Sequence, residues 1–486
     1  MGGTHLSDTA RRLAVTALAA AALLLVVATP ARAADRSSLE ERLTRVVATL
    51  TGGAETRAAG NSENESLLAT PPLADLLAGR TELTLDPAFW TQIVHNLLVS
   101  QTVVLPVPVD LVKVEALLPT SPVDTGARNW RLARRDKPLA GVTYEWQGRT
   151  KTISEFVRST ETDAVAFIHK GRIVSDLYAN GWSADVRHQP WSVTKSFVSA
   201  LIGIALDEGR IRSLAHPIQR YVPELRGTAW DGTTLRNLLE MESGVHWDEG
   251  TPVLIVNTQV EQWVQMALDL FSDGQLGQTR NEFLASLPRV APQGTKFSYN
   301  SGNTQLLAWV LEKVYGKPFN KVITQKLWKP MGMAGDAMVM TDRVGDAVAS
   351  QGLYSRIFDL ARFGELFRNS GRTPDGRRIV PARWVKRSTR MTEISDGSYG
   401  FQWWAGPTRG SYEASGFQGQ KISVSPRHCL TGVRLSHTLG ANLRPGGGDP
   451  ADPGSYGFEV EMGGGEWSAA YRAVAKRLGT CRPRRR

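Results

Sequence analysis

Gln189-Pro190-Trp191-Ser192-Val193-Thr194-Lys195-Ser196-Phe197 places the chain's only Ser-x-x-Lys at the start of an apolar run. The run reaches Glu208 with Phe197, Leu201, Ile204 and Ala205 at helical spacing, and Gly209 follows as a stop. The pattern therefore predicts a helix over 192–208. Ser192 and Lys195, three residues apart, then share one face. Ser192 falls in the first turn, where unpaired backbone N–H groups and the helix dipole favour a developing negative charge. A serine hydroxyl is nearly inert at neutral pH and needs a base within hydrogen-bond reach. A lysine can serve when burial and a positive helix end favour its neutral form. The bland alternative is an N-capping serine with a solvated lysine one turn later.

Upstream, Ala164–Ile168 and Ile173–Tyr178 are β-rich runs around His169-Lys170-Gly171-Arg172 and predict a hairpin. Downstream, 214–385 is mostly helical in period, with candidates over 235–241, 260–271, 304–315 and 355–369. Strand signals return at 401–404, 421–425 and 432–436, and a helix candidate over 467–478 closes the chain. Strands at both ends and helices between them fit an α+β fold: an antiparallel sheet flanked by helices, with a mainly helical insertion. The absence of βαβαβ alternation argues against a doubly wound parallel sheet. No Gly-x-Ser-x-Gly or His-Glu-x-x-His occurs, and a metal role for His246-Trp247-Asp248-Glu249 is much less favoured than a loop histidine. The glycines over 444–456 lack a phosphate-loop ending and read as a surface loop.

A second motif, Lys296-Phe297-Ser298-Tyr299-Asn300-Ser301-Gly302-Asn303, follows the turn Pro292-Gln293-Gly294 and leads into a helix. A tyrosine there can carry a proton between Ser192 and a leaving group; a buried aromatic is the alternative. The Ser-x-x-Lys at a helix start and the Tyr-Asn-Ser about a hundred residues on resemble the β-lactamase-related serine hydrolases. That superfamily includes class C β-lactamases, D-alanyl-D-alanine peptidases, related esterases and 6-aminohexanoate-dimer hydrolases. Further matches run in family order over about 138–478: Thr234–Leu239 with Ser243-Gly244-Val245, Leu327–Met333, Gly352-Leu353 with Asp359–Gly364, and Tyr399–Trp404.

The resemblance implies a β-lactamase/transpeptidase-like fold, with Ser192 as acyl-forming nucleophile, Lys195 as its base partner and Tyr299 as second proton carrier. It implies no cofactor or metal. Ser301 stands where β-lactamases carry asparagine, which leans toward the aminohexanoate-hydrolase-like or esterase-like branch. The usual third motif, Lys-Thr-Gly or His-x-Gly, is replaced by Ser415-Gly416-Phe417-Gln418-Gly419-Gln420. The oxyanion hole is then expected from the N–H of Ser192 and that of about Gln418, with Ser301, Gly416 and Gly419 alongside. The substrate is expected to be a small molecule, short peptide or ester. The rival reading is a non-catalytic penicillin-binding-like cell-wall binding or sensory relative; a carboxypeptidase or β-lactamase is a further alternative.

The 486 residues are 42 % hydrophobic and 21 % charged, a globular composition that excludes a disordered or fibrous chain. The net charge of +10 is concentrated at the ends: residues 1–33 carry a net +2 and the last five carry four arginines, which leaves a body near +4. No nucleic-acid partner is expected, although the tail can touch an anionic surface. Arg11-Arg12, an apolar run to Val27 and Ala31-Arg32-Ala33 read as a signal peptide cleaved after Ala33 or Ala34, with an uncleaved anchor as the alternative. The export route stays open between the general and twin-arginine systems. The mature chain is expected outside the cytoplasm, periplasmic or secreted, with no transmembrane span and a Cys429–Cys481 bond. The expected organisation is a signal peptide over 1–33, an extension over 34–120, the hydrolase domain over 121–480 with its helical part at about 214–385, and a basic tail over 481–486.

Overall fold

The computed structural model describes residues 120–160, 162–247, 279–342, 344–416, 419–436 and 464–481. The expected signal peptide, nearly all of the expected extension, the helix candidate over 260–271, the expected loop over 444–456, Gln418 and the arginines of the expected tail lie outside the described residues.

The hairpin expected from Ala164 to Tyr178 is β5 (Thr162–His169) and β6 (Arg172–Tyr178), antiparallel around Lys170 and Gly171. It lies within a seven-stranded sheet whose order is β10 (Trp404–Ala405), β11 (Tyr412–Gly416), β12 (Gln420–Ser425), β13 (Leu430–Ser436), β5, β6 and β2 (Ala133–Arg134). Every pairing is antiparallel except β2 with β6 at the edge. Strands from both ends of the described chain thus share one sheet.

Alternation along β5 explains its central place. Ala164, Ala166 and Ile168 enter one apolar core, while Val165 and Phe167 enter another on the opposite face. On the first face lies helix α7 (Ile357–Arg368), packed on β12, β13 and β5. On the second lie α1 (Ile153–Ser159) and the closing helix α9 (Gly464–Leu478). Trp467 of α9 stacks on Phe167 with centroids 5.8 Å apart, an arrangement worth about 0.5–1.5 kcal/mol beyond area burial. Cys429, in the turn between β12 and β13, is disulfide-bonded to Cys481 just past α9, with Cα atoms 5.9 Å apart.

Helix α2 (Thr194–Asp207) differs from its expected amphipathic form. Every residue from Thr194 to Ala205 is buried, Lys195, Ser196 and Ser199 included. A helix enclosed on all sides must satisfy its polar groups internally, and Ser196 Oγ donates to the Gln402 carbonyl at 2.6 Å. The segment expected to be mainly helical holds α3 (Leu235–Leu239), α4 (Arg280–Ser286), α5 (Ser301–Tyr315) and α6 (Phe319–Ile323). It also contributes strands that periodicity did not announce. β1 (Thr120–Val123), β8 (Ala337–Met340), β9 (Leu353–Arg356) and β7 (Arg187–His188) form a small second sheet in the order β1-β8-β9-β7. These strands are too short for a period-2 signal to emerge from their apolar surroundings.

Candidate active site

The Ser-x-x-Lys straddles two kinds of turn. Trp191–Val193 form one 3-10 turn, and α2 begins at Thr194. Ser192 therefore precedes the α-helix proper, half-buried, while Lys195 lies inside its first turn and is 1 % exposed. The entry is bent at Trp191, whose φ of 49° is left-handed, a conformation that a bulky residue rarely adopts. Thr194 Oγ1 holds that bend by donating to the Trp191 carbonyl at 2.7 Å.

Lys195 reaches three oxygens. Its Nζ lies 2.8 Å from Ser192 Oγ, 2.7 Å from Ser301 Oγ and 3.2 Å from the Ser350 carbonyl. An ammonium can donate to all three. A neutral amine can donate to Ser301 and Ser350 and turn its lone pair to the Ser192 hydroxyl, so proton movement along Ser192–Lys195 needs no rearrangement of heavy atoms. Ser301 is in place because Asn300 caps α5: its side chain accepts from Asn303 N–H, so the helix starts at Ser301, three residues before the expected Thr304. Gln402 ties the supporting helices together. Its side chain accepts from Thr304 Oγ1 of α5 and donates to the carbonyls of Leu238 and Leu239 of α3.

Tyr299 stands beside this group. Lys195 Nζ lies over its ring, 5.0 Å from the centroid. The ring packs edge-on to Tyr399 at 5.9 Å and tilted on Trp404 at 5.4 Å, with Phe297 next to both partners. This aromatic wall joins the second motif to the strand entering the third.

Of the third motif, Gly416 meets the Ser192 turn. A Cβ on Gly416 would stand 2.3 Å from the Pro190 carbonyl and 3.1 Å from the Ser192 nitrogen. Glycine here permits β11 to abut the Ser192 turn. Gly416→Ala should therefore push strand and turn apart, costing about 1–3 kcal/mol of stability and roughly tenfold to a hundredfold in kcat. Thermal melting and esterase kinetics on one preparation check both; an unchanged kcat would separate this strand from the site. Gly419 lies at the following turn with φ 82°, and its carbonyl accepts from Arg434 at 3.3 Å.

Lys421, the nearest cation in the third motif, belongs to the other face of the sheet. It pairs in register with Ser415, next to Gly416, and side chains alternate along a strand. Its Nζ contacts Glu413 Oε1 and Ser415 Oγ, both at 2.8 Å, and is 3 % exposed. Its charge is thus neutralised behind the sheet.

Ser192, Lys195, Tyr299, Ser301 and Gly416 are brought together from segments up to 224 residues apart. Sequence reasoning missed the Ser350 carbonyl, the aromatic wall and Gln402. A backbone acceptor carries no residue signature, but Tyr399 to Trp404 stood in a matched motif and could have been asked for a role beside the site.

Residues 149–451 match the family model described as Beta-lactamase. The 6-aminohexanoate-dimer hydrolase of Paenarthrobacter ureafaciens is 31 % identical over 305 residues, covering 59 % of this chain and 76 % of its own length. A solved structure from Bacillus anthracis, described as a candidate 6-aminohexanoate-dimer hydrolase, is 24 % identical. It has a TM-score of 0.65 and covers 76 % of this chain and 93 % of its own. EstCE1, a hydrolase with promiscuous acyltransferase activity, is 16 % identical with a TM-score of 0.50, over 66 % of this chain and 96 % of its own. The structural likenesses establish a β-lactamase/transpeptidase-like fold.

Proposed function

The chain belongs to the Beta-lactamase family and is a serine hydrolase, and from that premise we propose that it cleaves amides or esters through an acyl-enzyme on Ser192. The observation that carries this reading is the Lys195 Nζ contact with Ser192 Oγ at 2.8 Å, in a buried site at the start of α2. Ser192 Oγ attacks the substrate carbonyl as its proton passes to Lys195. The tetrahedral intermediate collapses, and the leaving amine or alcohol takes a proton by way of Lys195 and Tyr299. Water, deprotonated by the same groups, then attacks the ester carbonyl and restores Ser192. The Ser192 N–H is one donor to the oxyanion, and the backbone N–H of about Gln418 is the other.

The substrate follows from charge. Carboxylate-anchoring relatives place a cation at the third motif, whereas Lys421 here is paired with Glu413 away from Gly416. Ser301 at the usual asparagine position and the identity to the Paenarthrobacter ureafaciens enzyme support short acyl esters and small linear amides, such as aminohexanoate oligomers, over β-lactams. The signal-like N-terminus and the Cys429–Cys481 bond support action in an oxidising compartment outside the cytoplasm. The test is one set of kcat/KM values for p-nitrophenyl butyrate, an aminohexanoate dimer and a chromogenic cephalosporin. The ester is expected to lead. A cephalosporin preferred by tenfold or more, about 1.4 kcal/mol in transition-state binding, would overturn the substrate reading.

A further inference from the structure

Three residues before Ser192 the chain is gripped by a buried pair that the reaction itself does not use. His188 of β7 and Asp163 of β5 are 3 % and 0 % exposed at their side chains. His188 Nε2 lies 3.1 Å from Asp163 Oδ2, and Nδ1 lies 3.0 Å from the carbonyl of Gln189. A carbonyl oxygen only accepts, so Nδ1 donates to Gln189, and Nε2 and Asp163 Oδ2 share one hydrogen between them. Asn180 Nδ2 donates to the other oxygen of Asp163 at 3.1 Å, and the Trp182 ring lies 4.6 Å from the imidazole.

A buried polar pair is weak evidence for stability, because its desolvation offsets its attraction. Its position is more telling. The gripped carbonyl belongs to the Gln189–Pro190 peptide, directly ahead of the left-handed Trp191. The Gln189 side chain donates to the Gln351 carbonyl at 3.1 Å and accepts from the Tyr354 hydroxyl at 3.1 Å. The neighbouring Ser350 supplies the carbonyl that receives Lys195. Gln189 therefore links the segment that sets Ser192 to the segment that sets Lys195.

We propose that Asp163 and His188 are a positioning pair that acts through Gln189 to hold the Ser192 turn in register with Lys195. The proposal rests on the reading of Ser192 as nucleophile. Two substitutions in the full chain separate its parts. His188→Asn keeps a side-chain N–H near the place of Nδ1, and His188→Gln keeps one near the place of Nε2. His188→Gln should lower kcat for p-nitrophenyl butyrate about tenfold to a hundredfold with KM within about twofold, because misplacement, not lost binding, limits the rate. His188→Asn, which keeps the Gln189 contact and gives up Asp163, should lose less, about twofold to fivefold in kcat, and a parental kcat would remove Asp163 from the pair. Histidine-selective 15N spectra, with His188 identified by its loss in His188→Asn, should show Nδ1 protonated. A bare Nδ1, or a His188→Gln variant with parental kcat, would overturn the proposal. The spectrum reports the Nδ1 hydrogen even when His188→Gln fails to fold. Failure of the parent protein to become acylated at Ser192 would instead overturn the functional reading and leave that spectrum standing.

Discussion

Ser192→Ala is expected to abolish covalent labelling by a fluorophosphonate and to lower kcat/KM for p-nitrophenyl butyrate by roughly a thousandfold to a millionfold. Ser301 Oγ is a second hydroxyl in contact with Lys195, at 2.7 Å. It is the first residue of α5 and only 1 % exposed, so it is badly placed to meet a substrate. The removed hydroxyl leaves Lys195 its contacts with Ser301 and the Ser350 carbonyl, so the fold should be kept and the melting temperature should stay within a few degrees. Near-parental turnover in a folded Ser192→Ala protein would place the chemistry elsewhere.

The second large effect concerns the proton path. Lys195→Met keeps the buried stem and removes the charge and the donors, while Tyr299→Phe keeps the ring in the aromatic wall and removes the hydroxyl. Each should lower kcat by about a hundredfold to ten-thousandfold, the range for a lost general acid or base. The double variant should lose much less than the product of the two, because both groups handle the same proton. Measuring kcat for all four proteins on one ester checks this; a fully multiplicative loss would assign Lys195 and Tyr299 independent roles. Tyr299→Phe also tests the ring separately from the hydroxyl, since Lys195 Nζ lies over the ring face at 5.0 Å.

Local pattern carried much of this reading. The β-rich runs around Lys170-Gly171 foretold β5 and β6, and the apolar spacing after Ser192 foretold α2. Turn and cap residues were less well read. Thr304 was expected to open the helix that Asn300 caps and Ser301 begins, because a serine or asparagine favours loops and caps alike until its side chain finds the N–H it accepts from. The 214–385 segment hid β8 and β9, which are four residues each. Such short pieces become strands only when β1 and β7 supply their partners.

By itself the sequence determined the α+β order, the placement of Ser192 at the entry to a helix with Lys195 one turn on, and a Tyr-Asn-Ser between a turn and a helix about a hundred residues later. These features follow from periodicity, breakers and spacing over a few residues. The tertiary structure alone decided that Lys195 is enclosed by Ser192, Ser301 and the Ser350 carbonyl. It also decided that Trp191 is left-handed, that Lys421 is paired with Glu413 behind the sheet, and that His188 links Asp163 to the Gln189 carbonyl ahead of Ser192. The contacts of Lys195 with Ser301 and Ser350 span 106 and 155 residues. Local spacing sets which face of its own element a side chain occupies, and packing between distant elements sets which atom waits for it there.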